Sequence, residues 1–457
     1  MFARLLVALL LVAGGAVSAA PAAPPKLDVP PLEFRERVLG NGLRVVTLED
    51  HASPTVSVQV WYDVGGKDDP AGRSGFAHLF EHLMFKSTRY LKPEQFDRMT
   101  EDVGGMNNAS TGDDTTNYFE VVPSNHLERL LWAEAERLSN LNVDDAAFRS
   151  ERSVVQEEYR ERVLASPYGR LHEALARRSY TEHPYRRGVI GNIDELNAAS
   201  LDDVRAFHRT YYRPDNAILI VTGDFDQKEV DAWIDRYFDP IPRPPMAIPR
   251  VTVVEPPRVR AAHFRETGPN VPLPAVAITW LAPSARSADA PALQVAAALL
   301  GNGESARMNQ ALVYRAQIAQ SASFDVDLRV DNGLLIASAI AARRSTPATL
   351  ARALRKEIDR LAQSPVPAAE LAKVKTQLLT HALIERQTPL GKGMALGDAI
   401  VSLGDARRVN EELAQLQAVT AADVQRVLRT YVLDAPEVTI EYTQQAAAAS
   451  GKDGTKP

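Results

Sequence analysis

The sequence predicts an α+β protein built from a duplicated unit, and three observations carry that prediction. Short runs rich in β-branched residues alternate with stretches of helical period. Pro240 to Pro257 holds seven prolines and splits the chain beyond its N-terminal segment into halves of similar length. Proline at that density continues neither a helix nor a central strand, so this segment reads as a linker. Finally, Asp203-Val204 leading to Arg209-Thr210-Tyr211 recurs 220 residues later as Asp423-Val424 leading to Arg429-Thr430-Tyr431, and a strand-like segment follows each copy. A length of 457 residues also exceeds what one hydrophobic core usually covers.

The elements follow in chain order. Arg4, an apolar run from Leu5 to Val12 and small residues from Ala13 to Ala20 read as a secretory signal peptide over 1–20. Val17-Ser18-Ala19 and Ser18-Ala19-Ala20 both fit a small-x-small cleavage rule. The competing reading is a retained membrane anchor, against which the run is short for a span. No later segment is long and apolar enough to cross a bilayer. Residues 21–33 form an extended lead-in, and 34–239 the first domain. Strands are expected over 43–48, 56–61, 117–122 and 218–223, and helices over 75–86, 124–140 and 145–165. The linker spans 240–257, the second domain 258–443, and a low-complexity, disordered tail 444–457.

Composition narrows the function classes. Hydrophobic residues make up 45% and charged residues 24%, an ordinary globular balance. A net charge of -6 argues against nucleic acid as the main partner. Cysteine is absent, which removes disulfides and thiolate metal ligands. An exported chain without cysteine suits an oxidising compartment, the bacterial periplasm.

The chemistry concentrates in His78-Leu79-Phe80-Glu81-His82. On a helix, His78 and His82 leave one face and can converge on one cation. Neutral imidazole is a common Zn2+ ligand. Glu81 reaches the open side of such a metal without being a ligand, placed to move a proton as general base. The bland alternative is two satisfied histidines, but the apolar neighbours Leu79, Phe80, Leu83, Met84 and Phe85 predict a buried helix, where two His and a Glu need partners. Glu151 to Glu158 is the best source of a third ligand. With Val154 and Val155 marking the inner face of that helix, Glu158 is the expected metal ligand and Glu151 a carboxylate that orients it or the water. Glu157 is the rival for the third position, and Glu151 as a plain helix N-terminal acid is an equal alternative. Gly104 to Thr111 suits a turn into an edge strand that could pair with an extended peptide. His126, His172, His183 and His208 lack ligand spacing and read as structural or surface residues. Tyr118 and Phe119 read as sheet packing.

These residues resemble a known family. Gly75 to Phe85, the Gly-Gly-x-x-Asn-Ala-x-Thr stretch from Gly104, and Glu151-Arg152-x-Val154-Val155-x-Glu157-Glu158 are similar to the pitrilysin/insulinase/mitochondrial processing peptidase family. Gly223-Asp224-Phe225-Asp226 is similar to its first-domain ending. The resemblance covers most of 35–440. It implies two homologous α+β domains, each a mixed or antiparallel sheet with helices on one face, forming half of a clamshell. It also implies zinc ligands His78, His82 and Glu158, general base Glu81, and a substrate-binding edge strand at Asn108-Ala109. Four such domains enclose a chamber for small or unfolded peptides, so a two-domain chain implies a dimer.

One departure stands out. The family usually carries an Arg and, seven residues later, a Tyr in the domain facing the zinc. Val313 and Gln320 occupy those places here. The expectation is therefore a heterodimer with a homologous subunit that lacks the zinc motif and supplies the Arg/Tyr pair. The competing functions are a peptidase dedicated to one precursor-processing event and a non-catalytic scaffold subunit. Intact His78, Glu81, His82 and Glu158 argue against the scaffold.

Overall fold

A computed structural model describes residues 29–342 and 344–446. The expected signal peptide at 1–20, residues 21–28 of the lead-in and residues 447–457 of the tail lie outside the described residues.

The first half forms a six-stranded sheet from β1 (Arg35–Val38), β2 (Arg44–Glu49), β3 (Thr55–Tyr62), β4 (Met106–Thr111), β5 (Thr116–Pro123) and β6 (Ala217–Gly223), in the order β1-β2-β6-β3-β5-β4. Only β2 and β6 pair parallel. The apolar run Ala217-Ile218-Leu219-Ile220-Val221 is buried along its whole length, as a central strand covered on both faces must be. The second half forms a five-stranded sheet from β7 (Ala262–Gly268), β8 (Ala275–Leu281), β9 (Ala319–Asp327), β10 (Leu334–Ala341) and β11 (Val438–Gln444), in the order β7-β11-β8-β10-β9. Its one parallel pair is β7 with β11. Strand for strand this is the wiring of β2-β6-β3-β5-β4. The helices before β6 and β11 also match: Ser200 and Asp203 close a capping box on one, Thr420 and Asp423 on the other. The tail begins later than expected. β11 includes Gln444, whose side-chain oxygen accepts from Val271 N–H at 2.7 Å.

Helices of each half cover one face of its own sheet. The opposite face receives a helix from the other half. Helix Pro389–Leu403 lays Leu396, Ala399 and Ile400 on Val46, Trp61 and Ile220 of the first sheet. Helix Gly169–Ser179, its counterpart 220 residues earlier, lays Leu171 and Ala174 on Ala275, Ala277 and Ile440 of the second. Polar ties fix both contacts. Thr222 Oγ1 donates to the Pro389 carbonyl at 2.6 Å, Gln59 Nε2 to the Leu390 carbonyl at 3.0 Å, and Ser179 Oγ meets Thr279 Oγ1 at 2.6 Å. Helix Pro389–Leu403 approaches so closely that a Cβ on Gly397 would stand 2.3 Å from Trp61 Cε2.

The proline-rich segment is irregular but pinned. Arg213 donates to the carbonyls of Met246 (2.8 Å) and Pro244 (2.6 Å). Glu255 is buried and accepts from the N–H groups of Thr181, Glu182 and His183 and from the Thr181 hydroxyl. Burial works to raise its pKa, but these hydrogen bonds together hold it below the ordinary value.

A second joint clamps the β4–β5 turn. Arg329, from the loop after β9, lies 3.1 Å from Asp113 and packs over the rings of Tyr180 and Tyr185. Asp114 accepts from Tyr185 Oη (2.6 Å) and Val330 N–H (3.0 Å). Burial pushes the Asp113 carboxyl up to about 6, against the pull of Arg329.

Two predictions follow from this packing. Gly397→Ala should lower stability by about 1–3 kcal/mol in chemical denaturation through overpacking against Trp61, whereas Gly40→Ala should change it by less than about 0.5 kcal/mol. Because folding raises the Asp113 pKa, its contribution to stability is full below the unfolded-state value near 4 and is lost as pH rises through about 6. The stability advantage of the native chain over Asp113→Asn should thus fall by at most about 3 kcal/mol between pH 4 and 7, read from denaturant midpoints.

Candidate metal centre

The motif occupies helix Phe76–Leu83. Its start is fixed by Gly75, which has φ 90° and would place a Cβ 2.8 Å from the Ile190 carbonyl. The buried carboxylate of Asp69 accepts from Gly75 N–H (2.6 Å) and Ala77 N–H (2.9 Å), satisfying two free donors and complementing the positive helix end. Phe76, Ala77, Leu79, Phe80 and Leu83 bury the helix in the main core. That packing leaves His78 and His82 side by side, ring centroids 5.0 Å apart.

The third residue comes from helix Asp145–Tyr159, capped by Asp144, which accepts from Ala147 N–H at 2.8 Å. Val155 is fully buried, but Val154 is 46% exposed, contrary to the expected inner face. Glu158 lies one turn beyond Val155 and Glu151 one turn before it, so both still face inward. Glu157 faces solvent and pairs with Arg160 at 2.9 Å, away from the cluster.

His78, His82 and Glu158 offer ligand atoms that all lie within 4.8 Å of one another. Glu158 Oε2 stands 3.5 Å from His78 Nε2 and 3.4 Å from His82 Nε2. A tetrahedron with metal–ligand bonds of 2.0–2.1 Å has edges of about 3.4 Å, which the two imidazole–carboxylate separations match. Burial, then the neighbouring His82 and Arg162, hold His78 down at about 3, which keeps its imidazole neutral.

Each carboxylate is held from outside. Glu158 Oε1 meets Arg162 at 2.7 Å, leaving Oε2 turned to the imidazoles. Glu151 Oε2 lies 3.6 Å from His82 Nδ1, and its Oε1 takes Lys86 Nζ at 2.8 Å. That contact favours the His82 tautomer whose Nε2 is free for a metal. Thr111 Oγ1 donates to Glu81 Oε2 at 2.5 Å. Burial raises the Glu81 pKa, and the Thr111 hydrogen bond opposes it. Thr111 closes the Gly-Gly-x-x-Asn-Ala-x-Thr stretch, whereas Lys86 and Arg162 belong to no motif. The Glu158–Arg162 spacing of four residues was a visible signal.

Asn108 and Ala109 lie on β4, an outer strand of the first sheet. Ala109 is buried; Asn108 is exposed and its side-chain oxygen accepts from Ala109 N–H at 2.8 Å. The other histidines stand apart from the cluster. His208 stacks on Phe80, and His183 is buried 3.3 Å from Asp331. In the second half, helix Ala290–Gly301 carries apolar Ala298, Leu299 and Leu300 where the offset would put the first histidine. Val313 lies in the π-helical segment Asn309–Arg315 and Gln320 on β9. Arg307 is engaged by Glu370 through two hydrogen bonds of 2.8 Å.

Comparison with known proteins identifies the family of the chain. The family model described as "Insulinase (Peptidase family M16)" matches residues 44–192, and "Peptidase M16 inactive domain" matches 198–378. The zinc protease PqqE of Helicobacter pylori is 31% identical over 411 residues, 88% of this chain and 91% of the relative. The chain belongs to the insulinase (M16) peptidase family. Another relative, a probable mitochondrial-processing peptidase subunit beta of Arabidopsis thaliana, is 25% identical over 88% of this chain and 77% of its own length. The crystal structure of a protease from Helicobacter pylori superposes with a TM-score of 0.87 at 29% identity, covering 91% of this chain and all of that one. The M16 match labelled inactive falls on the part of the chain where the offset positions hold no ligands.

Metal analysis tests the assignment. The purified chain should hold about one zinc, lost in His78→Ala, His82→Ala and Glu158→Gln and kept in Glu157→Gln and Glu81→Gln. Loss of metal in Glu157→Gln with retention in Glu158→Gln would reverse the choice between the two glutamates.

Proposed function

We propose that this chain is the zinc-bearing subunit of a periplasmic endopeptidase that hydrolyses small or unfolded peptides. The observation that carries the proposal is the gathering of His78, His82 and Glu158, with Glu158 Oε2 at 3.5 and 3.4 Å from the two imidazole Nε2 atoms, and the Glu81 carboxylate one residue from a ligand. Bound Zn2+ would supply Lewis acidity toward the attacking water and the scissile carbonyl. Glu81 takes a proton from that water as its oxygen adds to the carbonyl carbon. It then gives the proton to the leaving nitrogen as the C–N bond breaks, yielding a carboxylic acid and an amine. Glu151, braced by Lys86, holds His82 in orientation. An extended peptide adds along the outer edge of β4 at Asn108-Ala109, which selects chains that can present a strand.

Val313 and Gln320 offer neither charge nor phenol for a tetrahedral oxyanion. We assign that task to a homologous subunit lacking the zinc motif and carrying the Arg/Tyr pair. An oxyanion donor is worth ~10²–10³ in rate, so the chain alone should turn over slowly. The printed name of the Helicobacter relative, a zinc protease, supports the activity. The periplasmic placement rests on the pattern of the first twenty residues.

The assay uses an extended fluorogenic peptide. The chain alone should be slow, and adding the homologous subunit should raise the rate about 10²-fold or more. Full activity as a homodimer would remove the partner from the mechanism. Glu81→Gln should keep its metal and lose roughly 10²–10⁴ in rate.

A further inference from the structure

The strand expected to receive the peptide is tied directly to the expected base. Thr111 sits two residues beyond Ala109 on β4, so their side chains share the face turned to the motif helix. Its hydroxyl donates to Glu81 Oε2 at 2.5 Å, a short charge-assisted bond. β4 is itself held firmly. It pairs with β5 from Met106 to Thr111, and Asp113 and Asp114, just past its end, are clamped by Arg329, Val330 and Tyr185. Below the pair, fully buried Arg137 joins Glu120 of β5 at 3.0 Å and lies over the Phe96 and Tyr118 rings.

We infer that Thr111 is a positioning residue that sets the Glu81 carboxylate by its place on the docking strand. The inference rests on reading Glu81 as the base. Glu81 stands on the last turn of an eight-residue helix, and Thr111 is the hydrogen-bond partner that holds its carboxylate. One carboxylate oxygen is thus committed to β4 and the other is left for the reacting water. A peptide added to β4 and the base beside it therefore share one rigid frame. Holding a reacting group in place in this way lowers the barrier without adding a contact to substrate.

The test uses the full chain with an extended fluorogenic peptide and four forms: native, Thr111→Val, Thr111→Ser and Glu81→Gln. Thr111→Val removes the hydroxyl at nearly constant shape. It should lower kcat roughly 10- to 100-fold with KM changed less than about twofold and zinc content unchanged. Thr111→Ser should recover most of the rate. A readout free of turnover is the melting midpoint of metal-free protein, where Thr111→Val and Glu81→Gln should combine non-additively. Native kcat in Thr111→Val beside an inactive Glu81→Gln would overturn this proposal alone. So would a loss that tracks zinc content or that Thr111→Ser does not repair. Native activity in Glu81→Gln would overturn the base assignment, and the inference with it.

Discussion

Three carboxylates, Glu81, Glu151 and Glu158, lie about two imidazoles at a half-buried site, and much of the first half is organised to keep them there. Such a gathering of like charge is costly in a medium of low dielectric unless cations answer it. Lys86 and Arg162 answer two of the three from the outside, at 2.8 and 2.7 Å. Neither occupies the point between His78, His82 and Glu158, where the neutral His78 ring contributes no charge. A dication at that point meets both demands at once, which is why the donor spacing and the electrostatics lead to the same ligand set.

Holding the site requires rigidity from far away in the chain. The motif helix is only eight residues long and would be marginal alone. Asp69 fixes its start, the first sheet fixes its apolar face, and helix Pro389–Leu403 closes the far side of that sheet. The last of these comes from the other half, and helix Gly169–Ser179 returns the contact. The two halves therefore cannot be separated without uncovering a sheet face on each. Glycine at 397 is the local condition for this, because Trp61 fills the space a side chain would need.

How much of this could be read from residues depended on how local the signal was. The strands at β2, β3, β5, β6 and β11 are legible because β-branched runs are self-contained signals, and the shared face of His78 and His82 because their spacing is a helix repeat. The duplication was visible in one short repeat, and the sheets now extend it strand by strand. The helix exchange left no trace, since apolarity alone does not say which sheet a helix covers. Val154 was misplaced for a similar reason: two adjacent valines cannot both face inward on a helix. The contacts of Lys86 with Glu151 and of Thr111 with Glu81 are not legible in the residues, because only the fold brings these groups together. The expected boundary between the second domain and the tail, after residue 443, falls one residue short of the end of β11, because Gln444 looks like the start of a polar tail; its side chain instead bonds Val271 across the sheet edge.

The duplication also explains how the halves could diverge in chemistry while staying alike in frame. The second half needs its sheet and its exchanged helix, because the first half depends on both. It has no such need for ligands on helix Ala290–Gly301, where Ala298, Leu299 and Leu300 now pack into the core. Selection on the scaffold and selection on the site therefore act on different residues of the same fold.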